Sequence, residues 1–97
     1  MRNDRFEWDD EKARRNLVKH EVSFEAGCLV FDDPDIFEQD DDDPDEERFK
    51  ATGMVSGRLL TVIYTDRPPR IRIISVRKAS RDEQTSYFDQ AGEDFGG

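Results

Sequence analysis

Two adjacent cations, Arg77 and Lys78, stand between a strand-like run and a helix start, where they could bind a ligand. The run Ile71–Val76 alternates and then becomes apolar on both faces, as in a strand near the middle of a sheet. Ser80 and Glu83 follow with the spacing of a capping box, in which each side chain binds a free N–H at a helix start. A rigid strand end can therefore present Arg77 and Lys78 to a ligand. The alternative is that both residues only form the polar edge of a sheet and bind nothing.

The distribution of charge indicates what kind of ligand this would be. The net charge is −9, but eleven of the 24 acidic residues lie within residues 32–47. The segment Arg48–Arg81 contains nine basic residues and one acidic residue, so this segment alone carries a charge of +8. A cationic surface of this strength suits a polyanion such as a nucleic acid, even in a protein with an acidic pI.

Length and composition limit the class of protein. A chain of 97 residues suits one domain over residues 1–97, and its small core must depend on seven Phe, one Trp and two Tyr. One Cys and one His can form neither an internal disulfide nor an ordinary zinc site. No apolar run has the length of a membrane helix or the character of a signal peptide. We therefore expect a cytoplasmic protein without a metal or cofactor.

Hydrophobic patterns predict an α+β domain. The predicted elements are a strand at residues 6–8, a helix at about residues 10–19, a second helix capped by Ser23, strands at residues 48–55, 59–65 and 71–76, and a helix at about residues 81–90. Short turns join the last three strands, so we expect an antiparallel sheet with two N-terminal helices and one C-terminal helix. The first helix has a thin apolar stripe of Ala13, Leu17 and His20, and the second should be the more buried.

Two segments are expected to lie outside the regular elements. Residues 32–47, the acidic segment, contain four consecutive Asp together with Pro34 and Pro44. Repulsion between like charges and the helix-breaking prolines favour a mobile, solvated loop there. Residues 91–97 are expected to form a flexible tail.

Residues at characteristic spacings recur from Phe6 to Tyr87 and are typical of one known family. They are Phe6-Glu7-Trp8-Asp9, Lys12, Asn16, Lys19-His20, Ser23-Phe24-Glu25-Ala26, Val30-Phe31, Glu47-Arg48, Gly53, Val62-Ile63-Tyr64, Arg72-Ile73-Ile74-Ser75, Arg77-Lys78-Ala79 and Tyr87. In these residues the chain resembles the BrnT family, the toxins of bacterial type II toxin–antitoxin pairs. The resemblance implies a fold similar to RelE-type ribonucleases and cleavage of RNA that arrests translation. It also implies a BrnA-like antitoxin that binds the toxin and carries the DNA-binding part.

The chain departs from the family pattern in two places. Glu21 follows Lys19-His20 where the family usually has Gly, so the helix end lacks the residue suited to a left-handed cap. The acidic segment is unusually charged, and beside a cationic face it would repel RNA or shield the site.

RNA can be cleaved without a metal because its 2′-OH is an internal nucleophile, provided that the enzyme supplies a base, an acid and cations. Arg77 and Arg48 are expected to bind the phosphate, since a guanidinium offers two parallel N–H donors. Glu47 is the expected base, and Lys19 and His20 are expected to act as acid, base or phosphate contact. The other expected RNA contacts are Lys50, Arg72, Lys78 and Arg81. Each residue also has a structural alternative: His20 could simply pack at a helix end.

Two other functions stay open beside the ribonuclease. A binding module of the same fold could serve as antitoxin partner and operon co-repressor without cleaving RNA. The acidic segment could instead be the functional part, as a nucleic-acid mimic that occupies a basic partner. The ribonuclease hypothesis expects RNA and the antitoxin as partners, contact with DNA only through the antitoxin, and no membrane.

Overall fold

The computed structural model describes residues 1–92, which form a five-stranded sheet with three α-helices and one 3₁₀ helix. In chain order the elements are β1 (Phe6–Glu7), α1 (Asp10–His20), α2 (Phe24–Cys28), the 3₁₀ helix (Leu29–Asp32), β2 (Phe37–Asp41), β3 (Arg48–Val55), β4 (Arg58–Arg67), β5 (Arg70–Lys78) and α3 (Arg81–Gln90). The strand order is β1-β5-β4-β3-β2. β1 runs parallel to β5, and all other neighbours are antiparallel. The predicted α+β class and the meander of β3, β4 and β5 are confirmed. Of the predicted tail, residues 91–92 form a turn after α3, and the rest lies outside the described residues.

The acidic segment is not a loop over its whole length, and that part of the prediction was wrong. Its middle forms β2, which pairs with β3 so that Gln39 lies opposite Lys50 and Asp41 lies opposite Arg48. Alternation sends successive acidic side chains to opposite faces of the sheet. Asp41 lies opposite a cation, whereas Glu38 and Asp40 lie opposite Ala51 and Phe49. The backbone pairing with β3 therefore outweighs the repulsion between like charges. Residues 42–47 alone connect β2 to β3, and we call them the acidic loop.

The apolar core lies on the face of the sheet covered by α2 and the 3₁₀ helix. Phe24 and Val30, one from each helix, have no exposed surface, so the prediction that the second helix is the more buried is confirmed. Gly27 allows α2 to approach the sheet closely, because a Cβ there would meet Val76 Cγ2 at 2.5 Å. Trp8 packs edge to face on Phe24, with 5.6 Å between the ring centroids.

α1 is joined to the sheet by one buried amide. Asn16 is 7% exposed, whereas Leu17, which the predicted stripe placed in the core, is 50% exposed. The Val76 N–H donates to Asn16 Oδ1 at 3.1 Å, and Asn16 Nδ2 donates to the carbonyls of Val76 and Val22 at 2.8 and 3.0 Å. The amide therefore takes the place of a neighbouring strand at the edge of β5, beyond the end of β1. The core position predicted for Leu17 was wrong because this polar contact sets the orientation of α1.

Asn16→Ala is expected to lower the free energy of unfolding by about 3 kcal/mol, because it leaves the Val76 N–H and two carbonyls without partners in a buried place. Urea unfolding followed by circular dichroism measures the loss. The neighbouring Leu17→Ala serves as the control and should cost less than about 1 kcal/mol, since that side chain is half exposed. Equal losses in the two variants would contradict the role assigned to Asn16.

The end of α1 has a left-handed backbone, the conformation for which the resemblance predicted Gly. Glu21 has φ 59° and ψ 27°, and its N–H donates to the Leu17 carbonyl at 2.9 Å. A side chain with a Cβ is strained in this conformation, and glycine is not. The departure noticed in the sequence therefore falls at a position where it costs stability.

Glu21→Gly is expected to raise the free energy of unfolding by about 0.5 kcal/mol, the relief of strain less the larger entropy of glycine in the unfolded chain. Thermal unfolding measures the gain as a higher midpoint. Glu21→Ala keeps the Cβ and should give no gain. A gain in the alanine variant as large as in the glycine variant would show that the backbone at Glu21 is not the cause.

Candidate functional site

The second face of the sheet is polar and carries most of the predicted site residues. On β3, β4 and β5 this polar face carries, around the apolar Ile63, the side chains of Arg48, Lys50, Thr52, Thr61, Thr65, Arg72 and Arg77. Strand register brings them together, since Thr52 lies opposite Thr61 and Thr61 lies opposite Arg77. The hydroxyls of Thr52 and Thr61 are 2.8 Å apart. Four of the cations expected to bind phosphate or RNA thus share one face.

A buried carboxylate, Glu83, lies at the centre of the polar face. The first turn of α3 positions it there, and it is 4% exposed. Arg77 Nη1 and Nη2 donate to Glu83 Oε1 and Oε2 at 2.7 and 2.8 Å. Lys50 Nζ, the Thr61 hydroxyl and the Ser80 N–H also donate to it, at 3.2, 3.0 and 2.8 Å. The one carboxylate therefore holds α3 on β3, β4 and β5.

These contacts fix the charges of Glu83 and Arg77. Burial raises the pKa of Glu83, but the hydrogen bonds from Arg77, the Ser80 N–H and Thr61 outweigh burial and hold the pKa well below its usual range. The hydrogen bond to Glu83 raises the pKa of Arg77 above its ordinary value. Glu83 therefore positions Arg77 through two parallel hydrogen bonds.

Arg77 keeps one edge of its guanidinium group available to a ligand. Glu83 binds the two terminal nitrogens, while the Nε–H has no hydrogen-bond partner within residues 1–92. The side chain is 32% exposed. The Nε–H and one N–H of Nη2 point in parallel, and such a pair of donors matches two oxygens of a phosphate.

Arg48 and Arg72 lie towards the other end of the polar face, and each is paired with carboxylates. Arg72 Nη1 donates to Glu7 at 2.8 Å. Arg48 has two acidic partners from the acidic loop, with Nη1 at 3.1 Å from Asp43 and Nε at 2.7 Å from Glu46. The hydrogen bond to Glu46 raises the pKa of Arg48. The cations of the polar face are thus neutralised by the protein's own carboxylates.

The other predicted catalytic residues lie in two separate places. Lys19 and His20 end α1 beside β5, while Glu47 is exposed at the end of the acidic loop, directly before Arg48. Within residues 1–92 the side chains of Lys19, His20 and Glu47 form no hydrogen bond or ion pair. The structure therefore brings Arg48 and Arg77 onto one face and leaves the three proposed proton-transfer residues at its margins.

Lys78 and Arg81, the two remaining expected RNA contacts, lie beyond the end of the polar face. Lys78 is exposed and lies opposite the core residue Leu60, so alternation directs it to the other side of the sheet. Arg81 is exposed at the start of α3. Both side chains lack an ion pair within residues 1–92, so they stay available to a ligand that reaches this end.

Sequence reasoning identified Glu83 only as a helix-capping residue and missed its larger role. The capping box with Ser80 is present as predicted. The signal that could have revealed more is the short step from Arg77 at the strand end to Glu83 in the first helical turn. A carboxylate that turns back over the strand can reach such a cation, and a buried carboxylate requires one.

Cys28 and the acidic side chains do not form a metal site in the described part of the chain. Within residues 1–92 no three His, Cys, Asp or Glu side chains are grouped as ligands of one ion. Cys28 is half buried at the end of α2, and burial raises the pKa of its thiol to about 11. The thiol is therefore protonated at neutral pH and is a poor nucleophile.

Fold and site together define a small α+β domain with a polar face rich in Arg and Lys, whose cations are paired with carboxylates of the same chain. A family model described as the ribonuclease toxin BrnT of type II toxin–antitoxin systems matches residues 8–83. The chain belongs to this family, as the sequence predicted. A search of curated proteins found no match. None of the helices within residues 1–92 has the length and apolar character needed to cross a membrane.

Glu83→Gln is expected to lower the free energy of unfolding at pH 7 by about 3 kcal/mol, because Arg77 loses its buried counter-charge. Folding lowers the pKa of Glu83 from its ordinary value of 4.5, so the carboxylate stabilises the fold above that pH. This contribution is lost as the pH falls below 4.5 towards the lower folded value. The difference between parent and variant should therefore shrink between pH 7 and pH 3 in urea unfolding.

Asp82→Asn is the matched control, since it removes an exposed carboxylate from the same helical turn. It should change the free energy of unfolding by less than about 0.5 kcal/mol. A loss in the Gln variant that is the same at pH 7 and pH 3 would contradict an ionic role for Glu83.

Proposed function

We propose that this toxin is a metal-independent endoribonuclease that cleaves RNA in the cytoplasm and arrests translation. Family membership gives the coarser class, a ribonuclease toxin of a type II toxin–antitoxin pair. The observation that carries the proposed chemistry is the state of Arg77. Glu83 holds one end of its guanidinium group, and the Nε–H has no hydrogen-bond partner within residues 1–92, in a side chain that is 32% exposed.

The proposed reaction uses the 2′-OH of the RNA as the nucleophile. A base takes the proton from this hydroxyl, and the 2′ oxygen forms a bond to phosphorus as the bond to the 5′ oxygen breaks. An acid protonates the leaving 5′ oxygen, and the product ends in a cyclic phosphate. Negative charge that develops on the phosphate oxygens would be stabilised by the two parallel N–H donors of Arg77.

The remaining cations of the polar face would position the RNA backbone. Arg48 on β3 and Arg72 on β5 flank β4, so their strands are about 10 Å apart. Lys50 lies between Arg48 and the buried Glu83. Contacts of this kind bind the phosphates of RNA of any sequence, and they fix the orientation of the RNA without recognising its bases.

Glu47, Lys19 and His20 are the proposed proton-transfer groups. Glu47 is an exposed carboxylate on the β3 side of the polar face, and the end of α1 with Lys19 and His20 lies on the β5 side. A base and an acid on opposite sides of a bound phosphate suit a displacement in which attacking and leaving oxygens are in line. Lys19 and Glu47 are exposed and His20 is partly buried, and none of the three has a hydrogen-bond or ion-pair partner within residues 1–92.

A BrnA-like antitoxin is the proposed partner, and it would neutralise the toxin by covering the polar face. The segment Arg48–Arg81, with its charge of +8, supports a contact with an acidic segment of that antitoxin. DNA would then be reached only through the antitoxin. The class of the partner follows from the type II family.

A binding module that does not cleave RNA is the second candidate, and one observation favours it. Each of the four cations on the polar face is paired with a carboxylate of the same chain. A protein with its cations neutralised in this way could serve as antitoxin partner and operon co-repressor without cleaving RNA.

Arg77→Lys tests the ribonuclease most directly. Alanine would leave Glu83 buried without its main partner, whereas lysine keeps the positive charge and loses the parallel N–H donors. We expect the rate of RNA cleavage in EDTA to fall by about 100-fold, the usual effect of removing one donor to a developing oxyanion. Mapping of new RNA ends, with purified RNA and in a bacterial translation extract, measures cleavage.

Arg58→Lys is the control, because Arg58 is exposed at the start of β4 and belongs to no proposed site. It should cleave like the parent, and circular dichroism should show all three proteins folded. Unchanged cleavage by Arg77→Lys would remove Arg77 from the active site. Intact RNA with the folded parent in both settings would favour the binding module.

A further inference from the structure

The acidic loop is folded onto the polar face and contacts it through Arg48. Asp43 and Glu46 bind different nitrogens of this guanidinium group, at 3.1 and 2.7 Å. Asp41 lies opposite Arg48 in the register of β2 and β3. Its charge also contributes to the raised pKa values of both Arg48 and Arg77. Arg48 therefore has three carboxylates around its guanidinium group.

The loop is built so that Asp43 faces Arg48. One oxygen of Asp43 accepts a hydrogen bond from the Asp45 N–H at 2.8 Å, which closes a tight turn around Pro44. The other oxygen binds Arg48 Nη1. Asp43 thus both stabilises the turn in the acidic loop and pairs with the guanidinium group of Arg48.

Glu46 accepts a hydrogen bond from Arg48 Nε, a donor that a phosphate would also use, and Asp43 forms an ion pair with Nη1. A guanidinium group binds a carboxylate and a phosphate through the same N–H donors, so one excludes the other. We propose that the acidic loop is a built-in competitor of RNA, whose carboxylates occupy the phosphate position at Arg48 and must leave before RNA binds. This inference rests on the proposed function and adds to it a regulation of the same site.

The pairing at Arg48 can be exchanged, in contrast to the pairing at Arg77. Glu83 is 4% exposed and is held by groups from four elements, so it stays with Arg77. The side chains of Arg48 and Glu46 are 30% and 38% exposed, and partly exposed ion pairs of this kind are weak. Seven acidic residues within residues 40–47 would also repel RNA until the loop moves away from the polar face.

The test is the affinity for a single-stranded RNA with 2′-O-methyl groups, which cannot be cleaved through its 2′ oxygen. The double variant Asp43→Asn/Glu46→Gln keeps an acceptor for the Asp45 N–H and removes the two charges at Arg48. We expect it to bind about 10-fold more tightly than the parent at 50 mM salt. Its logarithmic salt dependence should be steeper by about 0.7, the value for one more phosphate contact on a single strand.

Asp40→Asn/Asp42→Asn is the matched control, since it removes the same charge from exposed positions that do not contact Arg48. It should tighten binding by less than about 3-fold and leave the salt dependence unchanged, because it gains no phosphate contact. Adding Arg48→Gln to the first variant should abolish its gain. Equal gains in the two double variants, or a gain that survives Arg48→Gln, would overturn the proposal.

Failure of the competitor proposal can be distinguished from failure of the ribonuclease proposal, because this assay measures RNA binding and not cleavage. If the two double variants bind RNA equally well and the parent cleaves ordinary RNA, the acidic loop is not a competitor of RNA, but the ribonuclease proposal stands. A clear difference in a protein that cleaves no RNA would reject the ribonuclease and keep the acidic loop as a competitor for polyanions.

Discussion

The carboxylate of Glu83 is the constraint on which the polar face depends. A buried carboxylate is costly unless charge and hydrogen bonds surround it, and here the partners come from three strands and the start of α3. A shift of β5 by one residue would turn Arg77 to the apolar face and leave Glu83 without its main partner. The register of the sheet and the position of α3 are therefore coupled through one side chain.

The polar face contains two kinds of ion pair, one that is part of the fold and one that belongs to a surface loop. The pair of Arg77 and Glu83 is part of the fold, and it orients a guanidinium group whose Nε–H has no hydrogen-bond partner within residues 1–92. The pairs of Arg48 with Asp43 and Glu46 belong to a loop at the surface. The first kind supplies a preorganised donor, as catalysis at a phosphate requires. The second kind controls whether a phosphate can approach at all.

Features that depend on interactions between residues close in sequence were predicted, and features that depend on distant residues were not. The β5 strand and the capping box of Ser80 and Glu83 were predicted correctly because alternation and capping act over a few residues. β2 was missed because its pairing partner β3, which holds these acidic residues in a strand, lies beyond the acidic loop. Leu17 was wrongly placed in the core because Asn16 binds Val76, 60 residues away, and thereby orients α1.

The sequence by itself determined the family, the order of most elements, and the concentration of cations between Arg48 and Arg81. The tertiary structure decided which carboxylate meets which cation. Glu83 is 33 residues from Lys50, and Glu7 is 65 residues from Arg72. Such pairs depend on strand register and on the packing of α3, and no local pattern records either of them. For that reason a segment with a charge of +8 folds into a face whose four cations are already paired.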